Sequence, residues 1–116
     1  MPPLDMPTDV SIGRVRAALA ISRERMARLL DVTARTIARF EEQDRLPSSP
    51  AVATRLAQIQ EIVDLGLAVF TPDGFARFMS TPFPVFRGLT ALQMIERDES
   101  EQVFGALASL HDGNPG

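Results

Sequence analysis

The sequence predicts an all-α protein, because helix signals recur along the chain while strand signals are nearly absent. No Asn-Gly or Asp-Gly hairpin turn separates alternating apolar runs, and β-branched residues are scattered. Hydroxyl residues and prolines stand instead at the places where helices begin. A length of 116 residues with 45% hydrophobic content fits one compact unit, or two small modules that share a core.

Composition excludes several kinds of chemistry. The chain has no cysteine, which rules out thiol catalysis, disulfides and thiolate zinc sites, and its one histidine, His111, rules out a multi-histidine metal site. No apolar run approaches the roughly 20 residues that cross a bilayer, and the first residues lack the basic start of a signal peptide. We therefore expect a cytoplasmic protein without a metal, a cofactor or membrane contact.

Three short helices are predicted in the first half, after a flexible start at residues 1–9. Ser22 can cap the second helix, and the Thr33 hydroxyl can accept an amide hydrogen bond at the start of the third, which runs to about Glu42. Apolar residues spaced three and four apart define the faces that we expect to be buried. These are Val10, Val15 and Leu19 in the first helix, Met26, Leu29 and Leu30 in the second, and Ile37 and Phe40 in the third.

A long helix and a short one follow. Ser49 at the N-cap and Pro50 at the first helical position open the long helix, and Thr71-Pro72 repeats this start signal. The short helix must stop near Pro82, because proline opposes continued helix. The positions that we expect to be buried are Val52, Leu56, Ile59, Ile62, Val63 and Leu67 in the long helix and Phe75, Phe78 and Met79 in the short one.

The segment 83–88 is predicted to be a loop, because two proline-restricted sites and a glycine oppose continuous helix. Its two phenylalanines are costly to leave in water, so the loop should pack down or bind something. Thr90 with Gln93 matches a capping box, and Asp98 with Glu101 offers an acidic variant, so two final helices are expected. The residues that these helices should bury are Leu92, Ile95, Val103, Phe104, Leu107 and Leu110.

The net charge of −3 hides a gradient along the chain. Residues 10–40 contain seven arginines and two acidic residues, a local charge of +5, whereas the rest of the chain carries −8. A positive local field attracts a phosphate backbone whatever the total charge is. The gradient indicates a nucleic-acid-facing half joined to an acidic half with another purpose, although the same arginines would also suit a solvated helix face.

The residues from Arg23 to Pro47, RERMARLLDVTARTIARFEEQDRLP, resemble the helix-turn-helix of the phage-repressor (Xre/Cro) class. The turn lies at Asp31-Val32, where aspartate replaces the usual glycine and tolerates left-handed backbone better than most side chains. The matching positions are Met26, Ala27, Leu30, Val32, Ile37, Phe40, Glu41 and Pro47. The resemblance implies a DNA-binding region over residues 10–48.

Resemblance to this class implies that the third helix enters the major groove of double-stranded operator DNA. Arg23 and Thr33 then fall where phosphates are gripped. The base-reading positions fall on Ala34, Arg35, Thr36 and Arg39. The chemistry agrees, because Arg35 and Arg39 project from one helix face and a guanidinium matches guanine O6 and N7 as a bidentate pair.

The order of elements in the second half is similar to the toxin-binding domain of MbcA/ParS/Xre antitoxins. The positions that carry this similarity are Phe75, Phe78, Phe86-Arg87-Gly88-Leu89-Thr90, Leu92, Ile95, Val103, Leu107 and Leu110-His111-Asp112-Gly113. The resemblance implies a helical toxin-binding and dimerisation domain over residues 49–113, and a homodimer would supply the two-fold symmetry of a palindromic operator.

The same resemblance implies an antitoxin of a type II toxin–antitoxin pair, whose toxin is usually a RES-domain enzyme that destroys NAD. Neutralisation would be steric, with the acidic half covering the entrance to the toxin's active site. The implied toxin contacts are Phe83, Phe86, Arg87, Gly88, Leu89, Leu110, His111, Asp112 and Gly113.

An enzyme is not expected. The sequence has no Gly-rich phosphate loop and no G-x-S-x-G motif, and His111 stands beside Asp112 rather than across a cleft from it. Two other classes of protein remain open beside the antitoxin: a stand-alone Xre-family transcriptional regulator, and a protein-interaction module that does not bind DNA. The acidic half with its apolar loop favours the antitoxin, because a simple regulator needs only a dimerisation helix there.

Overall fold

The computed structural model describes residues 11–43, Arg45 and residues 47–113, and this part of the chain forms helices and no strand. The helices are α1 (Ile12–Leu19), α2 (Arg23–Leu30), α3 (Ala34–Gln43), α4 (Pro50–Val69), α5 (Pro72–Ser80), α6 (Ala91–Glu96) and α7 (Ser100–His111). A 3-10 turn, Pro84–Phe86, lies between α5 and α6. The all-α prediction is confirmed, whereas the expected flexible start and Val10 lie outside the described residues.

Hydroxyl side chains begin four of the helices as predicted. Each accepts a hydrogen bond of 3.0–3.1 Å from the backbone amide three residues further on, and the residues are Ser22, Thr33, Thr71 and Thr90. The Gln93 side chain accepts from the Thr90 amide in return, which completes the capping box. Ser49 occupies the N-cap of α4 without a side-chain hydrogen bond, so its predicted cap is positional only.

The predicted acidic cap at Asp98 is wrong. Asp98 has a left-handed backbone, with φ 64°, and the amide of Glu99 donates to the Met94 carbonyl at 2.9 Å, so both residues close the end of α6. The N-cap of α7 is therefore Glu99, which makes no side-chain capping bond. The Asp98 carboxylate instead accepts from Arg55 at 3.2 Å.

One buried apolar core runs through both halves of the described chain. Helix α1 packs against α4 and α5, α2 packs against α3 and α6, and α4 packs along α7. The predicted core positions that are buried are Val15, Leu19, Met26, Leu29, Leu30, Ile37, Leu56, Ile59, Ile62, Val63, Phe75, Met79, Leu92, Ile95, Val103 and Leu107. Phe40, Val52 and Phe78 are half-buried against this core. Segments on either side of residue 48 thus depend on the same packing.

Leu67 was expected in the core and is 42% exposed. The buried position at this end of α4 belongs to Gly66, where a β-carbon would overlap the Phe75 ring. Helix α4 therefore turns its glycine toward α5 so that the ring can lie against the backbone. Successive helical residues are rotated by about 100°, so Leu67 points away from that contact.

Phe104 and Leu110 are also more exposed than expected, at 41% and 50%. The buried stripe of α7 consists of Val103 and Leu107, and Phe104 lies one residue off it. Leu110 continues the stripe by one turn, but it lies beyond the end of the core and lines an open groove. Phe104 was wrongly predicted because it is the neighbour of a buried position and not part of the stripe, and Leu110 because periodicity does not reveal where the neighbouring helices end.

Polar contacts connect the two halves as well. The Arg55 guanidinium on α4 donates to the backbone oxygens of Leu29, at 3.3 Å, and Ile95, at 3.2 Å, which lie in the last turns of α2 and α6. Arg25 on α2 donates to Glu96 on α6 at 2.7 Å. These bonds fix α6 to α2. No helix among the described residues is both long enough and apolar enough to cross a membrane.

Candidate functional surfaces

The turn between α2 and α3 has the predicted form. Asp31 adopts left-handed backbone, with φ 60° and ψ 47°, and the amide of Val32 donates to the Ala27 carbonyl at 3.0 Å. Aspartate thus supplies the conformation that glycine adopts more readily. Buried Ala27 and Ile37 let the two helices pack closely, so that the opposite face of α3 is directed to solvent.

Glu41, near the end of α3, binds two arginines from different helices. Arg16 on α1 donates through Nε at 2.6 Å and through a terminal nitrogen at 3.1 Å, and Arg23 on α2 donates at 3.0 Å. These hydrogen bonds, above all the one from Arg16, lower the pKa of Glu41 despite its partial burial. The carboxylate therefore fixes α3 to both preceding helices.

The exposed face of α3 carries Arg35 and Arg39, which lie one helical turn apart. Within the described residues, neither forms an ion pair with a carboxylate. Ala34 and Thr36 are half-buried, and the hydroxyls of Thr33 and Thr36 are 2.9 Å apart. The structure therefore brings the predicted base-reading residues onto one short helix but gives the two arginines the most access to a ligand.

Several arginines of the basic half are already paired. Arg25 and Arg28 both approach Glu96, at 2.7 and 3.7 Å, and two others bind Glu41 as described above. Arg23, predicted to grip phosphate, thus has its Nε engaged, although its side chain is still 46% exposed. Composition could not show this, because both carboxylates lie far from their partners in sequence. The positive surface is smaller than the charge count suggested.

The loop after α5 folds into a compact turn. The amide of Phe83 donates to the Leu89 carbonyl at 3.2 Å, and the amide of Gly88 donates to the Phe83 carbonyl at 2.9 Å. Phe86 is fully buried, so it supports the loop from within and has no surface for a partner to touch. Arg87 binds Glu99 at 2.7 Å, and this hydrogen bond lowers the pKa of Glu99.

An open groove of about 720 Å³ lies between α5, this loop and the last turns of α7. We call it the phenylalanine groove. Its lining residues are Phe70, Gly74, Arg77, Phe78, Thr81, Phe83, Val85, Ala106, Ser109 and Leu110. The Phe78 ring centroid lies 5.2 Å from that of Phe70 and 5.4 Å from that of Phe83, so three rings form a continuous wall.

The groove brings two of the predicted toxin contacts, Phe83 and Leu110, into one site. Sequence reasoning missed Phe70 and Arg77. It also did not single out Val85 within the predicted contact loop, although its 66% exposure makes Val85 the most exposed large apolar residue described. Their signal was weak, because they come from separate segments that only the folded chain brings together.

The other predicted contacts flank the groove without lining it. Leu89 is half-buried and Gly88 is exposed on the loop. His111 is exposed at the end of α7, and Asp112 and Gly113 are exposed beyond it. His111 Nδ1 lies 3.6 Å from a carboxylate oxygen of Asp112. Among the described residues, no three side chains of histidine, aspartate or glutamate cluster closely enough to hold a metal ion.

Comparison with known proteins identifies a shared fold. No protein-family model and no curated protein matches the sequence. The chain is similar to a chain in the crystal structure of the M. tuberculosis MbcT-MbcA toxin-antitoxin complex, with a TM-score of 0.74 and 15% sequence identity. The similarity covers 93% of this chain and 97% of that one, so the shared fold extends over nearly the whole of both chains.

Proposed function

We propose that this chain is an antitoxin of a type II toxin–antitoxin pair. The observation that carries the proposal is the fold, which over 93% of the chain is similar to a chain of a toxin-antitoxin complex. The exposed apolar groove beside the predicted contact loop supports it, because a contiguous apolar surface is typical of a protein-binding site. The C-terminal half would cover the entrance to the toxin's active site, and the toxin would be a RES-domain enzyme that destroys NAD.

The proposal includes binding to operator DNA by a cytoplasmic homodimer. Arg35 and Arg39 support this part, because both are exposed on a helix whose other face is anchored in the core. Two copies related by a two-fold axis would place two such helices on a palindromic operator. The antitoxin would then repress its own gene.

Co-expression tests the antitoxin role. The chain is expressed in bacteria together with the protein encoded by the adjacent reading frame, and growth and cellular NAD are measured. We expect the neighbour alone to stop growth and deplete NAD, and the full chain to restore both. Arrested growth in the presence of well-expressed, folded chain would contradict the proposal and favour a stand-alone regulator.

A further inference from the structure

We propose that the phenylalanine groove receives an amphipathic segment of the protein partner, whose apolar side chains lie on the aromatic wall and whose carboxylate is held by Arg77. This inference rests on the proposed antitoxin function, since it names the part of the toxin that the C-terminal half would bind. It joins two contacts predicted from the sequence, Phe83 and Leu110, with the other groove residues into one anchor surface, and it adds Arg77 as an orienting residue.

The size and lining of the groove call for several apolar side chains. A cavity of roughly 150 Å³ already holds one benzene ring, and the groove offers about 720 Å³. Its wall consists of phenylalanine rings, and Val85 and Leu110 project at its edges with 66% and 50% exposure. Covering such a surface is favourable because it removes apolar area from water.

The groove is preformed. Its loop is closed by backbone hydrogen bonds at Phe83 and Gly88, is supported from below by buried Phe86, and is held at its far side by the ion pair of Arg87 with Glu99. A rigid receptor surface loses little conformational entropy when it binds. The groove therefore suits a segment that docks onto it without refolding the loop.

Charge determines the chemistry of the docking segment. Among the groove-lining residues, all within the described chain, Arg77 is the charged one, and it forms no ion pair with a described carboxylate. Arg87, by contrast, is held by Glu99. A guanidinium beside an apolar wall can bind a carboxylate bidentately, so the partner segment carries an aspartate, a glutamate or a chain-terminal carboxylate next to its apolar residues.

Titration calorimetry with the protein from the adjacent reading frame tests the inference on the full chain. We expect Val85→Glu and Leu110→Glu each to weaken binding at least about 30-fold, as for interface anchor residues. Leu67→Glu is the matched control, because Leu67 is similarly exposed but lies away from the groove; its effect should stay within about threefold. All three side chains are exposed, and thermal melting confirms that each variant folds.

A second set of variants tests the charged contact of Arg77. Arg77→Glu should weaken binding about 10-fold or more, and Arg77→Ala should reduce the salt dependence of the affinity. Arg39→Glu serves as the control, because Arg39 is exposed on α3, does not line the groove and, like Arg77, forms no ion pair with a described carboxylate. Equal effects of Arg77→Glu and Arg39→Glu would overturn the assignment of Arg77.

The outcomes separate this inference from the proposed function. If the wild-type chain binds and the groove variants bind equally well, the groove proposal is overturned while the antitoxin function stands. If the wild-type chain does not bind the neighbouring protein, both fall together. The remaining alternative is that a second copy of this chain occupies the groove, and analytical ultracentrifugation of the chain alone tests it. A dimer that Leu110→Glu dissociates would place the second copy in the groove and overturn the proposal.

Discussion

Glu41 connects the candidate DNA-facing helix to the rest of the molecule. Its side chain is only 10% exposed and accepts three hydrogen bonds from Arg16 and Arg23. We expect Glu41→Gln to lower the free energy of unfolding at neutral pH by about 1–3 kcal/mol, because hydrogen bonds to a charged group are lost. Denaturant unfolding measures the change, and Glu42→Gln, at the exposed neighbour, is the control.

The same residue gives the stability a defined pH dependence. The pKa of Glu41 is lowered in the folded chain by the hydrogen bond from Arg16. The ionised side chain therefore makes its full contribution to stability above the pKa of the unfolded chain, roughly 4.3. This contribution is lost as the pH falls through the lower pKa of the folded chain. The difference in the free energy of unfolding between wild type and Glu41→Gln should therefore shrink as the pH falls below the pKa of an ordinary glutamate. A difference that stayed constant into strong acid would contradict this account.

Arg35 and Arg39 carry the prediction on DNA. Alanine at either position should cost about 1–3 kcal/mol of affinity for the DNA upstream of the gene and relax its base preference. Fluorescence anisotropy at fixed salt, with operator and scrambled duplexes, measures both quantities. Arg97→Ala, outside the proposed interface, should leave them unchanged, and Arg23→Ala should weaken both duplexes alike. If the Arg35 and Arg39 variants bound the operator with wild-type affinity, the base-reading role would be contradicted.

For single residues, the sequence predicted which side chains share a helix face but not which side chains pair across the fold. The positions of Arg35 and Arg39 on one exposed face follow from helical periodicity. The engagement of Arg23 by Glu41 joins residues 18 apart in sequence, and no pattern in either segment indicates it. A count of charges therefore overestimated the cationic surface, since it could not subtract pairs formed across the fold.

Among the elements, the contact between α4 and α5 depends on one glycine. Gly66→Ala should lower the free energy of unfolding by about 1–3 kcal/mol, because the added methyl group must displace the buried Phe75 ring. Alanine is otherwise better than glycine inside a helix by roughly 1 kcal/mol. Gly105→Ala in α7, where a β-carbon meets no atom, is the matched control and should stabilise the protein. Thermal unfolding compares the two, and stabilisation by both would disprove the close contact.

The helix boundaries show why part of the fold was predictable. Ser22, Thr33, Thr71 and Thr90 cap helices through bonds that span three residues, so the signal is contained in the local sequence. The cap predicted at Asp98 was wrong because Asp98 belongs to the turn that ends α6. The predicted burial of Leu67 was wrong because Phe75, in another helix, determines which residue of α4 is buried there.

For the whole molecule, the shared core predicts how the chain unfolds. Helices α1 and α2 bury apolar residues against α4, α5 and α6. Residues 10–48 alone should therefore show no cooperative thermal transition by circular dichroism, whereas the full chain should unfold in one step. A cooperative transition in the isolated fragment, matched by two steps in the full chain, would establish two independent modules. The full chain at the same concentration is the control.

The common core also constrains how such proteins can diversify. Recombination that joined the first three helices of one such protein to the remaining helices of another would bring together faces that had never adapted to each other. The hydrogen bonds of Arg55 to Leu29 and of Arg25 to Glu96 cross that junction. Chimeras assembled at residue 48 would therefore need compensating substitutions. A new binding specificity can be acquired most readily by exchanging surface side chains, with the two halves inherited as a pair.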